Sequence, residues 1–416
     1  MEMKVRALLS SVVLIMVSLV GCGHYNCSSG AQFGNSTCTS SGSTSLSGGG
    51  GGTTSAASAF AFAVDEVGTM DGYTLTSGGT SPSFGPTASY AAPTIPSGIE
   101  GSGMVVAQSQ YLYSDFEGTG QIYGWTVGSG GGLTAISGSP FSAGYLIGSP
   151  SGGLWSMITN PAGTLLFVLN TSGMSVEVYQ IGSGGALTQV SGSPFSVPFF
   201  PGNLGVDGQG KYLYVTNYPN SSEVAAYTIG SSGALTAVSG SPFAYPMGQV
   251  QGDPSGKYLI GIQSSNFGVS DIYVFSIAQS GTNAGAITPV AGSPFATNYL
   301  PYSIAVQPSA NGVLIYSFSI NATSTGYNPI EGYALNTSNG SLSALSGSPF
   351  SGISSGFWGQ FDQSGQFLFV FGDVSNGTAN TAYLGALSVG SGGLLTQPTT
   401  QLDLATLGFW TVTDPK

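Results

Sequence analysis

Charge is what this sequence has least of. Only 5% of its 416 residues are Asp, Glu, Lys or Arg, against about 25% in ordinary soluble proteins. Cations are the scarcest: Lys4, Arg6, Lys211, Lys257 and Lys416 face 17 acidic residues, for a formal net charge of −12. Five scattered cations cannot form the basic surface that a phosphate backbone requires, which excludes DNA or RNA as a partner. Histidine occurs once, at His24. A Ser-His-Asp triad or a His-built metal cluster in the body of the chain is therefore ruled out. The three cysteines, Cys22, Cys27 and Cys38, stand near the start. An oxidising compartment would permit a Cys27–Cys38 disulfide, or leave two idle thiols, but neither can staple the rest of the chain.

Glycine, by contrast, occurs 67 times, hydrophobic residues make up 41% and aromatic residues 11%. Most of the chain can bury a core. Little Lys and Glu beside much Gly, Ser, Thr, Val, Tyr and Phe disfavours helix and favours short strands joined by tight turns. Length alone suggests two or three domains, but repeat folds lengthen without adding domains.

At the start, Lys4 and Arg6 precede an apolar run over 7–20. That run is shorter than the roughly 20 residues of a spanning helix and suits a secretory signal. It ends Leu19-Val20-Gly21-Cys22, which resembles the lipobox of bacterial lipoproteins. The resemblance implies cleavage before Cys22, lipidation of that cysteine, and a membrane as partner. Removal of Glu2, Lys4 and Arg6 makes the mature chain one unit more negative. Gly23 stands where an Asp retains enterobacterial lipoproteins at the inner membrane, so the expected destination is the outer membrane. The stretch 22–58, rich in Gly, Ser and Thr, reads as a flexible tether. Its end-to-end distance is roughly 30 Å.

One phrase then recurs: Ser137-Gly138-Ser139-Pro140-Phe141, and again at 191–195, 239–243, 291–295 and 346–350. Its spacing, about 48 to 55 residues, is that of propeller blades. A Gly-Gly-Ala-Leu-Thr-like phrase precedes it, and an Asp-Pro-Ser-Gly-Lys-Tyr-Leu-like phrase often follows. Between them lie strand-like runs, such as 211–217 with Tyr212, Tyr214 and Thr216 alternating with Leu213 and Val215. Four strands per repeat make one blade. Complete units fall near 101–141, 150–195, 202–243, 248–295, 301–350 and 356–402. Residues 59–96 supply only three strands, and 407–415 supply the missing opening strand. The expected fold is an all-β, seven-bladed β-propeller of four-stranded antiparallel blades over 59–416. Its C-terminal strand joins the N-terminal blade, which removes the exposed edges. In the recurrent phrase, Gly allows the unusual backbone angle, Pro stops the outer strand and Phe packs between blades. The carboxylates of Asp253 and Asp362 are expected to accept turn N–H groups.

The repeats resemble those of the seven-bladed lactonase-like propellers and the related surface-layer repeats marked by Tyr-Val-Thr-Asn. That phrase stands at 214–217, with degenerate versions at 167–170 and 369–372. The resemblance covers 59–416 and implies the fold. Its characterised members include 6-phosphogluconolactonases, which need cations for the phosphate and an acid or base for ring opening. This ring has neither Arg nor His, and Lys211 and Lys257 fall on the turn opposite the usual ligand face. The departure argues against that substrate.

The usual ligand face carries the second-to-third loops and the inter-blade segments. The loops hold Asp65, Glu66, Asp115, Glu117, Asn170, Asn217, Asn220, Asn266 and Asp373. The segments hold Tyr145, Phe199, Phe200, Tyr245, Tyr299, Tyr302, Phe357 and Trp358. Amides and aromatics interleaved in this way suit a glycan or peptide, and several acids together would suit Ca²⁺. Three functions remain open: a non-catalytic binding or scaffold module of the cell envelope, a lactonase-like extracytoplasmic hydrolase, and a self-assembling envelope protein. The hydrolase would use Asp65, Glu66, Asp115 and Glu117 as acid–base candidates.

Overall fold

A computed structural model describes residues 59–64, 70–76, 83–90, 101–116, 119–143, 157–217, 222–263, 271–307, 312–319, 329–350, 356–375, 380–397, 402–404 and 409–413. The expected signal over 1–21, Cys22 and the expected tether over 22–58 lie outside them. The described residues contain no α-helix, only strands and the short 3₁₀ turns Ser183–Gly185 and Ser391–Gly393. No described helix is long and apolar enough to cross a membrane.

The strands form seven separate antiparallel sheets, numbered here around the ring. Sheet 1 pairs Phe409–Thr413, Ala59–Val64, Met70–Thr76 and Ser83–Tyr90 in that order. Sheet 2 opens with Gly101–Ala107 and Tyr111–Phe116, sheet 3 with Met157–Thr159 and Leu165–Asn170, and sheet 4 with Pro201–Val206 and Tyr212–Asn217. Sheets 5, 6 and 7 open with Gln249–Gly252, Pro301–Val306 and Trp358–Phe361. Within sheets 2 to 7 the first four strands pair in chain order.

This is a β-propeller, and its core sits between the sheets. Seven apolar clusters join sheet 1 to 2, 2 to 3, and so on round to 7 and 1. The alternation read from sequence explains why each second strand is buried on both faces. In Tyr212–Asn217, Leu213 and Val215 pack toward sheet 3, while Tyr212 and Tyr214 pack toward sheet 5. Burying one such large side chain contributes about 1.5–3 kcal/mol.

The ring closes as the sequence predicts. Phe409–Thr413 runs antiparallel to Ala59–Val64, with Phe60 opposite Thr413 and Val64 opposite Phe409. Ala59, Ala61 and Ala63 then meet Phe367, Phe369 and Phe371 of sheet 7 in a cluster like the other six.

The recurrent phrase does more than the sequence reading allowed. Pro does not stop the outer strand. In sheet 2 the strand Leu133–Ala135 loops out and then resumes as Phe141–Ser142 on the same partner, Gln121–Val127. Sheets 3, 5 and 7 also gain a fifth segment, and in sheets 4 and 6 the return is a single bridge at Phe243 or Phe350. In sheets 2 to 6 the phrase is the excursion that splits the strand; sheet 7, which lacks it, splits between Leu395–Thr396 and Leu402–Leu404. The phrase's second serine fills the gap, accepting the third-strand N–H at 2.9 Å from Gly124 to Ser139 and at 2.8 Å from Ala226 to Ser241. The peptide bond before each of the five prolines is cis, and the glycine before each second serine has a positive φ. Each Phe packs between sheets, as predicted.

Candidate functional site

Strand direction divides the ring into two ends. Linkers between sheets and second-to-third loops share one end; first-to-second turns and third-to-fourth hairpins share the other. At the turn end, Asp207 Oδ1 accepts the N–H groups of Lys211 and Tyr212, each at 2.6 Å, and Oδ2 accepts that of Gln209 at 3.1 Å. Burial pushes the Asp207 carboxyl up, while these backbone donors and the Lys211 charge pull it back. Asp253 and Asp362 hold Tyr258 and Phe367 by the same bond, at 2.7 and 2.9 Å. These acids anchor turns, as their sequence context predicted.

At the linker end the structure gathers some of the candidate residues and separates others. Tyr302 stands edge-on to both Phe357 and Trp358, with ring centroids 6.0 and 5.9 Å away. Phe357 in turn meets Phe371 edge-on at 5.8 Å. The Ser303 hydroxyl donates to the Phe357 carbonyl at 2.7 Å and ties sheet 6 to the entry of sheet 7. Tyr299 comes just before this group; its N–H donates to Glu331 Oε2 at 3.2 Å. Tyr245 belongs to another junction, its ring 4.7 Å from Phe275.

The amides serve their own hairpins. Asn170 Oδ1 accepts from the Gly173 N–H at 2.7 Å and from the Ser172 hydroxyl at 3.2 Å. Asn217 donates toward Ser222 and Glu223 at 3.4 and 3.5 Å. Asp115 is fully buried inside sheet 2, paired across to Gly103 and Ile122. Asp373 lies in the strand Phe367–Ser375, opposite Ala382. Asp65, Glu66, Glu117, Tyr145, Asn220 and Asn266 lie outside the described residues. Among the described residues, no three His, Cys, Asp or Glu side chains come together as a metal site.

Sequence reasoning passed over two groups of polar residues. One lines the first strands and knits neighbouring sheets. Asn203 Oδ1 accepts from the Val250 N–H at 3.2 Å, Gln249 Oε1 from Ile304 at 2.9 Å, and Gln251 Oε1 from Val306 at 3.0 Å. Asn203 Nδ2 is buried without a hydrogen-bond partner. The other group is a pair of buried third-strand carboxylates at equivalent repeat positions. Glu177 accepts from the Tyr179 hydroxyl at 2.6 Å and from Gln189 Nε2 at 3.0 Å. Glu331 accepts from Asn298 N and Nδ2, at 3.1 and 2.7 Å, besides Tyr299 N. The signal was present in both cases: an acid or amide interrupting an apolar strand.

No family model matches the chain, and no curated protein does. Solved structures do. The crystal structure of a candidate 6-phosphogluconolactonase from Bacteroides fragilis is 14% identical, covers 87% of this chain and 100% of its own, and superposes with a TM-score of 0.59. A second such protein, from Bacteroides uniformis, is 14% identical over 86% of this chain and 99% of its own, with a TM-score of 0.60. A Lactobacillus plantarum protein is 15% identical over the same shares, with a TM-score of 0.57. At such identities the likeness carries architecture alone: the chain shares the fold of these proteins, a β-propeller.

Proposed function

We propose that the protein is an exported, lipid-anchored binding module of the cell envelope whose body is a seven-bladed propeller, each sheet one blade. A signal over 1–21, a lipid on Cys22 and a tether over 22–58 deliver the ring at 59–416 to the outer membrane. Its ligand is a glycan or peptide met at the linker end. The observation that most supports this is the meeting of Tyr302, Phe357 and Trp358 there, close in the chain to the polar first-strand residue Ser303. Aromatic faces take up the apolar face of a sugar ring or a peptide side chain, while hydroxyls and amides pair with polar groups. The lysines a phosphosugar would need, Lys211 and Lys257, belong to the opposite end.

The test is a screen of the full mature chain against glycans, peptides and lactones, with and without Ca²⁺. Binding without turnover is expected, weakened about tenfold by Trp358→Ala, on the order of one lost aromatic contact. A second reading, a lactonase-like hydrolase, draws on the printed names of two structural neighbours. Lactone turnover abolished by Asp115→Asn would replace the binding reading with that one. Lateral self-assembly is a third reading: the outer segments of sheets 2 to 7 are two or three residues long, such as Leu133–Ala135 and Phe141–Ser142, and the one long outer strand, Ser83–Tyr90 of sheet 1, is the edge such pairing would use.

A further inference from the structure

The chain joins the ring at Ala59 and its last described strand ends at Thr413, and these two places are partnered: Phe60 lies opposite Thr413. In the other sheets this position holds the first-to-second turn. The neighbouring turns meet across it, where Ser109 of sheet 2 hydrogen-bonds Gln363 of sheet 7. Whatever precedes Ala59 is therefore attached at the turn end, not at the linker end.

Charge divides the same way. Lys211 and Lys257, both exposed, stand at the turn end, and beyond Thr413 the sequence adds Asp414 and Lys416, whose charges offset each other. These lysines are the only cations left once a signal over 1–21 is removed. The acids of the turn end, Asp207, Asp253 and Asp362, are buried beneath backbone donors. The linker end carries the partly exposed Asp71, Glu223 and Asp271, besides buried acids such as Glu331, and, among the described residues, no cation. Exposed apolar side chains occur at both ends, Met174 and Phe200 at the linker end and Leu394 at the turn end.

We infer that the ring is held on an anionic lipid surface with its turn end down and its aromatic linker end facing away. This rests on the reading of Cys22 as a lipid anchor. An acidic body is repelled by anionic headgroups except where lysines reach them. If 22–58 is the tether expected from its composition, its attachment at the same end lets those lysines reach the bilayer over roughly 30 Å. The partner of the linker end is then met from the compartment, not from the anchoring membrane.

The experiment uses the full lipidated chain, with Cys27 and Cys38 replaced by Ser, in phosphatidylcholine vesicles containing phosphatidylglycerol and a headgroup-linked energy-transfer acceptor. A donor dye is placed at Gln209→Cys on the turn end or Met174→Cys on the linker end. Transfer at least twofold greater from position 209 is expected. Reversing both lysines to Glu, or removing phosphatidylglycerol, should narrow the difference. Equal transfer, or greater transfer from position 174, overturns the orientation while leaving the anchor intact. Mass spectrometry separates the two: a mature chain without acyl mass on Cys22 overturns the anchor reading itself, and the orientation with it.

Discussion

The Tyr214 hydroxyl of sheet 4 donates at 3.0 Å to the carbonyl of Gly285, in the outer hairpin of sheet 5. Tyr113 reaches Gly185 and Tyr316 reaches Gly393 in the same way, each at 2.7 Å. Three of the junctions are thus latched by one phenol each. The glycine is required as well as the tyrosine. Gly285 has φ 91°, and a Cβ there would stand 2.6 Å from the Tyr212 ring. Tyr214→Phe leaves a buried carbonyl without its donor and should cost about 1–3 kcal/mol. Gly285→Ala should cost more, because it adds backbone strain and a clash. Urea unfolding of both variants checks the order; a Gly285→Ala protein as stable as the parent would show that this contact is dispensable.

Those phenols also set the alkaline limit. Burial holds Tyr113, Tyr214 and Tyr316 well above the ordinary tyrosine value, and Tyr227, bonded to the Ser196 carbonyl at 2.9 Å, is pushed up to about 12. A group raised on folding adds stability that is whole below its unfolded pKa and is lost as pH climbs toward the folded one. The window therefore opens near pH 10, where each such phenol removes about 1.4 kcal/mol per pH unit. Tyrosinate absorbance should rise in two stages, the second coinciding with loss of circular dichroism. In Tyr214→Phe the alkaline slope should fall by one proton. Full ionisation of all phenols in a still-folded ring would refute this account.

Asp207 gives an acid-side counterpart. Its carboxyl is raised by burial, so its contribution is whole below the unfolded carboxylate range and is lost as pH rises through the folded value. The molecule already contains the neutral substitute: Asn160 Oδ1 accepts from Thr164 and Leu165 at 2.8 and 2.9 Å in the equivalent turn of sheet 3. Asp207→Asn should therefore stay within about 1 kcal/mol of the parent at pH 7, while the parent gains on the variant as the medium is acidified. Asp207→Ala strands the Lys211 and Tyr212 donors and should cost roughly 2–4 kcal/mol. Denaturant midpoints at pH 4 and 7 decide; a parent that gains on Asp207→Asn as pH rises would contradict the sign.

Much of this is legible in the sequence, because the features responsible recur. Five copies of one phrase located the outer strands, and the alternation at 211–217 identified a strand packed on both faces. The turn role of Asp253 and Asp362 followed from the Ser-Gly after them. What escaped had no repeat to expose it. Asn203, Gln249 and Ser303 are different residues performing one task in successive first strands. Glu331 binds a linker more than 30 residues earlier, a pairing no local pattern encodes. Pro194 and its counterparts mislead for another reason. Proline forbids a ladder N–H at one position, but it does not forbid the strand from resuming at Phe195.

Closure of the ring yields the prediction of largest magnitude. Ala59–Val64 has one neighbour in Met70–Thr76 and depends on Phe409–Thr413 for the other. Ending the chain at residue 408 would strip that partner away. The edge left bare contains Phe60 and Phe62, fully buried in the closed ring, so it is apolar as well as unpaired. Such an edge is a template for pairing with other chains. Truncation should therefore give soluble aggregates on size-exclusion chromatography and a loss of more than about 4 kcal/mol, beyond the range of most single substitutions. A synthetic peptide spanning 405–416, added in excess, should restore part of the monomer peak by re-forming the register of Phe60 with Thr413. A truncated chain that stays monomeric and unfolds at the parent's midpoint would mean that the strand decorates the ring without locking it.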